Sequence, residues 1–390
     1  MIKLGIKNFL SRVNKLKDDG ITSMERFKAA INFKELDRIP IAPLMDYYYA
    51  NCAGITPAMY VLGDFRIASR AVKITYERHG RDLDMVHIPI GRVYAFYEPI
   101  PAAHSGFFSE LVIPDMYKGS LQFIEEPILK LEDFNTIIEN GFSHLWRYIP
   151  PKKIFRTQMD MFRIIKFVHY WEKKRKVPIY TGSAIVTPLE TLSYLCGIKR
   201  WARYLRKNRD ELKQMCDFMI NGFIANDLFL KKMLRVERAY ICLERVSNSF
   251  ISAEIFEELV LPYIKQIVKI NNKLGFTNLF HMDTEWGPFL EYFLELPKNG
   301  KYILHLENTD IVKAKEIVGD RMCLMGNVNS SLLAIGTPKD VDKYCKYIIE
   351  NCKEGGGFIL GSGCEVASDA KFENVQAMIN AGKRYGIYHR

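Results

Sequence analysis

The chain has 390 residues, 48% of them hydrophobic, and a formal net charge of +10. This length can bury a large core, either as one large α/β barrel or as two ordinary domains. The basic residues are spread along the chain apart from a run at 172–176, which is typical of a helix end facing solvent, and there is no nucleic-acid-binding motif. The sequence therefore predicts no nucleic-acid partner, whereas an acidic protein partner stays open.

Cysteine usage and hydropathy indicate the cellular compartment. The eight cysteines form no Cys-x-x-Cys pair and lie in a long chain, which favours free thiols in a reducing cytoplasm. The first 20 residues carry Lys and Arg at regular intervals without an apolar core segment, unlike a signal peptide. No run approaches the roughly 18 apolar residues that a membrane span requires. We therefore expect a soluble, cytoplasmic protein that does not enter a membrane.

The N-terminal part of the chain is predicted to be helical. Apolar residues recur at helical spacing over residues 1–20, with lysines between them, so residues 1–22 are predicted to be a helical extension packed on the body. The run Thr-Ser-Met-Glu at 22–25 is a capping-box pattern and predicts a helix over 24–31. Residues 23–390 are then expected to form one barrel domain.

Short apolar runs alternate with helical patterns beyond Asp37, and eight such runs predict an α/β fold of the (β/α)8, or TIM-barrel, type. The predicted strands are 38–45, 83–90, 177–185, 239–243, 278–282, 302–306, 322–325 and 357–360. Helices are predicted to open at Thr56-Pro57 and to cover 251–273, 286–296 and 310–318. The segment 91–148 is too long for one connection and predicts an insertion after the second strand that covers the barrel mouth.

Polar side chains stand at the carboxyl ends of the predicted strands, where barrel enzymes place their catalytic groups. For any one of them a satisfied buried polar group or a helix cap is the alternative explanation, and for Asp46, His87 and Glu307 taken alone it is the commoner one. A thiol and an imidazole at the same mouth could share a zinc ion, which accepts mixed nitrogen, sulfur and oxygen ligands. Spacing alone does not decide whether they meet. The strand-end residues are Asp46, His87, Thr181, Ser183, Glu244, His281, Asp283, Glu307, Asn327 and Cys364.

Several motifs together resemble the uroporphyrinogen decarboxylase superfamily and, within it, the corrinoid-linked methyltransferase branch. They are Met-Glu-Arg-Phe-Lys-Ala-Ala at 24–30, Asp-Arg-Ile-Pro-Ile-Ala-Pro at 37–43, Leu-Met-Gly-Asn-Val at 324–328, Gly-Thr-Pro-Lys-Asp-Val at 336–341, and the Gly-rich run 355–364 ending in Gly-Ser-Gly-Cys. The resemblance spans nearly the whole chain from Met24. Decarboxylases of this superfamily resemble one another in an Arg-Gln-Ala-Gly-Arg run after the first strand. This chain has Leu-Met-Asp-Tyr-Tyr-Tyr-Ala at 44–50, which argues against porphyrin decarboxylation.

The methyltransferase branch implies a zinc ion held by a His-x-Cys pair and by the Cys of the final Gly-Cys motif. His281 and Cys364 match the outer ligands, but Asp283 stands at the middle position. An oxygen ligand makes the site harder than two thiolates would. Glu307 or Glu244 is expected to complete the ligand shell.

We therefore predict a zinc-dependent methyltransferase that moves a methyl group from a small methoxylated, aromatic substrate to the cobalt of a corrinoid. Because the chain lacks an Asp-x-His-x-x-Gly pattern, the corrinoid is expected on a separate carrier protein, which the net positive charge would attract if that carrier is acidic. Catalytic roles are predicted for Asp283, Glu244 and Asp46. Substrate contacts are predicted for Tyr47, Tyr48, Phe96, Tyr97, His87 and Asn327.

Two other functions stay open from the sequence. One is the transfer of a methyl group from a methylcorrinoid to a thiol or a folate, which Cys at position 283 would have favoured. The other is a barrel that binds a corrinoid or tetrapyrrole carrier without catalysis, with Asp283 as the mark of a decayed metal site. Buried acids cost stability, which argues against decay. A homodimer is compatible with the sequence.

Overall fold

The computed structural model describes residues 20–89, 111–112, 122–123, 127, 129–141 and 161–389. The predicted N-terminal helix over 1–20 and most of the predicted insertion lie outside these residues. Among the helices that the structure does describe, none is long and apolar enough to cross a membrane. All eight cysteines are free thiols, as the sequence predicts.

A six-stranded parallel sheet forms the main part of the fold, and its strands pair in chain order. A separate two-residue antiparallel pair, β1 (Leu111–Val112) with β2 (Gln122–Phe123), lies within the region of the predicted insertion. The strands of the parallel sheet are β3 (Ser183–Val186), β4 (Arg238–Cys242), β5 (Thr277–Met282), β6 (Lys301–Leu306), β7 (Cys323–Val328) and β8 (Phe358–Ser362).

Two further segments close the sheet into a ring. Ile41 forms a parallel bridge with Leu360 of β8, and the Asp84 amide donates a hydrogen bond of 2.7 Å to the Ile41 carbonyl. Val86 in turn bridges Ile179, which precedes β3 in the chain. Eight chain segments thus surround one interior, which confirms the predicted barrel.

The sequence analysis predicted longer regular strands in the first part of the barrel than the structure contains. The segments 38–45 and 83–90 contribute isolated bridges rather than continuous strands, and β3 begins later than the predicted 177. Proline explains part of the difference, because Pro40 and Pro43 have no amide proton for a ladder. We call this irregular part of the ring the seam; it consists of the segment 38–45, the segment around Val86, and Ile179.

Helices cover the outside of the ring, and an apolar layer fills the space between them and the strands. They are α1 (Ser23–Ala30), α2 (Tyr47–Ala53), α3 (Pro57–Leu62), α4 (Phe65–Arg78), α5 (Glu132–Asn140), α6 (Pro188–Cys196), α7 (Ile198–Lys207), α8 (Arg209–Leu234), α9 (Ala253–Leu259), α10 (Leu261–Lys273), α11 (Ile311–Val318), α12 (Ser330–Ile335), α13 (Pro338–Cys352) and α14 (Phe372–Tyr385), with a π-helix at Tyr170–Arg175 and a 3-10 helix at Gly287–Glu295.

Local sequence signals explain several helix ends. The Thr22 hydroxyl accepts the Glu25 amide and the Glu25 carboxylate accepts the Thr22 amide, which confirms the predicted capping box. The predicted single helix over 251–273 is instead two helices, with Val260 between them. Pro262 accounts for the break, since a proline within a continuous helix would remove an amide donor and clash with the preceding turn.

A buried ion-pair network closes the end of the barrel opposite its mouth. Asp84 is 1% exposed, and its carboxylate accepts hydrogen bonds of 2.6 Å from both Arg26 and Arg38. Arg26 also pairs with Asp37. The Met-Glu-Arg-Phe and Asp-Arg-Ile-Pro motifs therefore meet in one structural clamp, which we call the Asp84 clamp, rather than at the site described next.

Candidate metal centre and active site

Three predicted ligands converge at the mouth of the barrel. His281 lies near the end of β5, Asp283 follows that strand directly, and Cys364 comes two residues after β8. One candidate ligand atom from each residue lies within 4.8 Å of the other two. The Cys364 sulfur is 3.6 Å from the Nε2 atom of His281. The structure thus brings together the two residues that spacing alone could not join.

The geometry and the donor set both fit a zinc ion. A nitrogen and a sulfur that share one tetrahedral zinc ion lie about 3.5 Å apart, close to the separation of His281 Nε2 and Cys364 Sγ. The Oδ1 atom of Asp283 is buried and has no hydrogen-bond partner among the described residues. A buried acceptor without a partner is costly, and a cation would satisfy it. His281, Asp283 and Cys364 therefore have the chemistry of a mixed nitrogen, oxygen and sulfur site.

Burial favours the uncharged form of each of the three groups. It lowers the pKa of His281 well below its ordinary value, an effect that His305 and His87 reinforce. It raises the pKa of Asp283 to about 8, with further contributions from the carboxylates of Glu244 and Glu307. The pKa of Cys364 is also raised well above its usual range by burial. A bound cation would instead favour the ionised forms of Asp283 and Cys364.

A chain of hydrogen bonds lies behind His281. Its Nδ1 atom is 3.1 Å from Nδ1 of His305, the residue that pairs with it on β6. The Nε2 atom of His305 is 2.8 Å from the carbonyl oxygen of Ser362. Both histidines are almost fully buried, with 4% of His281 and none of His305 exposed. Sequence analysis missed His305 because it lies inside an apolar run.

Glu190 is a second residue that sequence analysis missed. It is fully buried on α6, and its carboxylate accepts the backbone amides of Glu244 at 2.8 Å and Arg245 at 3.1 Å. Burial and the nearby Glu244 raise its pKa well above the ordinary value. Glu190 thereby fixes the loop after β4. The signal available in the sequence was an acidic residue in the first turn of a helix that follows a strand end directly.

The predicted catalytic acids Glu244 and Asp46 lie on loops at the same mouth. The Tyr194 hydroxyl donates a hydrogen bond of 2.5 Å to Glu244, whose charge also acts on Asp283. Asp46 is fully buried, accepts a hydrogen bond from Tyr60 and acts electrostatically on Glu365, the residue after Cys364. Burial, Asp46 and Glu244 together raise the pKa of Glu365 well above its usual range. The mouth is thus acidic although the whole chain is basic.

The fourth predicted ligand, Glu307, is not part of the group of three. It lies just beyond β6, where burial raises its pKa and hydrogen bonding to Ser330 opposes that effect. Its charge acts on Cys364, so it stays near the site. A role for Glu307 in the metal shell remains a prediction.

The predicted substrate contacts have different surroundings. Tyr47 is half-buried beside Asp46 and Glu365, and both raise its pKa in addition to burial. Tyr48, in contrast, is 1% exposed and packs in the core, with its hydroxyl 3.1 Å from His79 Nε2. The structure therefore gives no support to a substrate contact by Tyr48. Phe96 and Tyr97 lie outside the described residues.

His87 and Asn327 are both buried in the ring. The His87 ring is hydrogen-bonded to the Ile88 carbonyl and lies 5.6 Å from the Tyr180 ring. The Asn327 amide donates to the carbonyls of Glu307 and Thr309 and accepts from the Tyr344 hydroxyl, so its hydrogen-bonding groups are engaged within the protein. Asn327 also borders a cavity of about 410 Å³, lined by Glu285, Glu307, Asn308, Thr309, Asp310, Asn327, Asn329, Leu332 and Tyr344.

These features define a (β/α)8 barrel with a candidate metal centre at the carboxyl ends of its strands. The family model for uroporphyrinogen decarboxylase (URO-D) matches residues 116–385, and the chain belongs to this family. The fold agrees with that of a solved methyltransferase from Methanosarcina mazei, with a TM-score of 0.70, 19% identity, and coverage of 94% of this chain and 99% of that one.

Two curated relatives, both from Methanosarcina mazei, are similar over part of the chain. A methylated-thiol–coenzyme M methyltransferase is 21% identical over 204 residues, which are 52% of this chain and 53% of the relative. A methylcobamide:CoM methyltransferase is 23% identical over 239 residues, which are 60% of this chain and 67% of the relative. The chain thus spans between half and two thirds of the length of these relatives.

Proposed function

We propose that this chain is a zinc-dependent methyltransferase that moves a methyl group from a small methoxylated aromatic compound to the cobalt of a corrinoid, carried in the cytoplasm by a separate protein. The observation that carries this proposal is the convergence of His281, Asp283 and Cys364 at the barrel mouth. The names of the relatives support methyl transfer involving a corrinoid. They do not identify the methyl donor, which we infer from the oxygen ligand Asp283.

His281, Asp283 and Cys364 would hold the zinc ion, and a carboxylate oxygen in place of a thiolate makes the site more suited to an oxygen-containing substrate. Zinc bound there would supply Lewis acidity toward the ether oxygen. In the reaction, the bond between oxygen and methyl breaks with its electron pair left on oxygen. The methyl group would be accepted by a Co(I) corrinoid on the carrier, which would supply the electron pair of the new bond to carbon.

The acids of the mouth have distinct proposed roles. Glu244, held by Tyr194 and by the loop that Glu190 fixes, would donate a proton to the leaving oxygen. Tyr47 lies beside Asp46 and is the described aromatic residue that we assign to the substrate ring. Asp46 would keep this part of the mouth polar.

Methyl transfer from a methylcorrinoid to a thiol is the second candidate. The similarity to methylcobamide:CoM methyltransferases favours it directly. It differs from the first proposal in the direction of transfer at the cobalt and in the acceptor. The metal centre would be common to both, so metal content alone does not separate them.

The first test is elemental analysis of the purified protein beside His281→Ala and Cys364→Ala, prepared without chelators. Near-stoichiometric zinc in the wild type that is lost in both variants is the expected result, whereas a zinc-free wild type would contradict the proposal. The zinc-loaded protein is then incubated with methoxylated aromatics and a Co(I) corrinoid protein, and in parallel with methylcobalamin and a thiol. Demethylation only in the first mixture supports ether cleavage; thiol methylation only in the second supports the other candidate.

A further inference from the structure

We propose that His305 is a positioning residue for the metal site, because it fixes the position of the proton on His281 and so directs the lone pair of His281 Nε2 toward Cys364 and Asp283. The inference rests on the proposed metal function. It concerns the hydrogen-bond chain from Ser362 through His305 to His281, and neither the family match nor the similar proteins assign it.

The Ser362 carbonyl determines which atoms donate and which accept along this chain of hydrogen bonds. The carbonyl oxygen of Ser362 can only accept, so the Nε2 atom of His305, 2.8 Å away, carries the proton. A neutral imidazole has one N–H, which leaves Nδ1 of His305 as an acceptor. The nearest donor is Nδ1 of His281 at 3.1 Å, which must then carry its own proton.

This arrangement leaves one nitrogen of His281 available for a ligand bond. With the proton on Nδ1, Nε2 has the lone pair, and Nε2 is the atom 3.6 Å from the Cys364 sulfur. Metal-binding histidines generally donate their other N–H to a protein acceptor, which fixes the ring and the tautomer. Here that acceptor is a second histidine rather than a carboxylate or a carbonyl.

The surroundings hold this chain in place. The His281 ring stacks on Tyr240 with centroids 5.3 Å apart, and His305 is fully buried. Ser362 is itself anchored, since its hydroxyl accepts the Leu44 amide at 2.9 Å. Ser362 also lies two residues before Cys364. The end of β8 therefore presents one metal ligand directly and orients another through His305.

The test compares His305→Leu with His305→Gln in the full-length protein. A glutamine amide can accept from His281 and donate to Ser362, whereas leucine can do neither. We expect zinc affinity, measured by competition with a chromophoric chelator, to fall about 10- to 100-fold in His305→Leu. His305→Gln should recover most of it. His79→Leu removes a fully buried, hydrogen-bonded histidine from the outer layer and should leave zinc affinity unchanged.

A second readout needs no metal. Two-bond proton–nitrogen NMR correlations on the chelator-treated protein should show His281 protonated at Nδ1 in the wild type and in His305→Gln, and a changed tautomer in His305→Leu. Wild-type zinc affinity in His305→Leu would overturn the inference, and so would a wild-type His281 protonated at Nε2. Equal losses in the Leu and Gln variants would also overturn it, because they would indicate packing alone. A wild type with the expected tautomer but no zinc would instead contradict the proposed function.

Discussion

Asp283 is the residue that most clearly distinguishes this candidate metal site from a site with two thiolate ligands. Its carboxyl has a buried oxygen without a hydrogen-bond partner among the described residues, and burial raises its pKa to about 8. Such a group keeps its proton in the native state when no cation is present, although the unfolded chain releases it near pH 3.8. The metal-free protein is therefore penalised for having this acid, and a cation removes the penalty.

A pH dependence follows for the metal-free protein. Between pH 6.5 and 8 the native state holds the Asp283 proton and the unfolded state does not, so the free energy of unfolding should fall as pH rises. Buried histidines contribute a slope of the opposite sign near pH 6.5, where an unfolded histidine is half protonated, and this contribution becomes small towards pH 8. Asp283→Asn should remove up to about 1.4 kcal/mol per pH unit of the slope.

The measurement is denaturant unfolding at several pH values in the presence of a chelator. Wild-type protein with zinc restored serves as the control, because it should lose the part of the slope that Asp283 contributes. An Asp283→Asn variant with the wild-type slope would show that this carboxyl is already ionised in the metal-free fold.

Prediction from sequence indicated candidate residues where the chemistry of a side chain was enough. A histidine, an aspartate and a cysteine at strand ends could be predicted as candidate metal ligands, and the structure places these three side chains close together. His305 could not, since what gives it a role is its pairing with His281 across two strands, and register is absent from a single sequence. The surroundings of Tyr48 were also not predictable: it lies on a short helix with its hydroxyl 3.1 Å from His79 Nε2, within the core.

At the scale of elements, the close approach of the segments that follow β6 and β8 shapes the mouth. A Cβ atom added to Gly363 would lie 2.6 Å from the Cα, Cβ and Cγ atoms of Glu307. Glycine at this point of the Gly-Ser-Gly-Cys motif therefore lets the chain that carries Cys364 pass directly over the end of β6. The motif therefore has a packing role at Gly363 as well as a candidate metal ligand at Cys364.

Replacing Gly363 should disturb both stability and the site. Gly363→Ala is expected to lower the free energy of unfolding by about 1–3 kcal/mol, because backbone and side-chain atoms of Glu307 must move. Zinc affinity should fall as well, since Cys364 is the next residue. Thermal unfolding and chelator competition measure the two effects. Gly20→Ala, which meets no atom within 4 Å, should change neither, and an unaltered Gly363→Ala protein would contradict the packing argument.

The number and order of elements were largely predictable, and their regularity was not. Alternating apolar and helical patterns identified β4 to β8 closely, because those strands are buried on both sides. The segments 38–45 and 83–90 have the same apolar character but form only isolated bridges. A helix boundary at Val260 also went unpredicted, although Pro262 marks it.

At the scale of the whole molecule, the Asp84 clamp holds the seam together. Asp84 joins α1, through Arg26, to the segment that contains Arg38. All three side chains are largely buried, with side-chain exposures of 2% for Asp84, 10% for Arg26 and 13% for Arg38. The clamp thus links the two irregular segments of the ring to the helix before them.

Breaking this clamp should destabilise the protein strongly. Asp84→Ala leaves two buried guanidinium groups without a shared partner, and we expect a loss of about 3–5 kcal/mol in the free energy of unfolding. Denaturant unfolding in the presence of zinc measures it. Lys265→Ala removes the exposed pair with Glu295 and should cost less than about 1 kcal/mol. Similar losses in both variants would mean that the clamp contributes no more than a surface ion pair.

The seam has a consequence for how the barrel opens. Isolated bridges close the ring on one side, whereas β3 to β8 form a continuous ladder. Local opening is easiest where few backbone hydrogen bonds must break together, so amide protons of the seam should exchange with solvent before those of the ladder. The strands that present His281 and Cys364 both belong to the ladder. The barrel can therefore open at the seam while His281 and Cys364 of the candidate metal centre stay together.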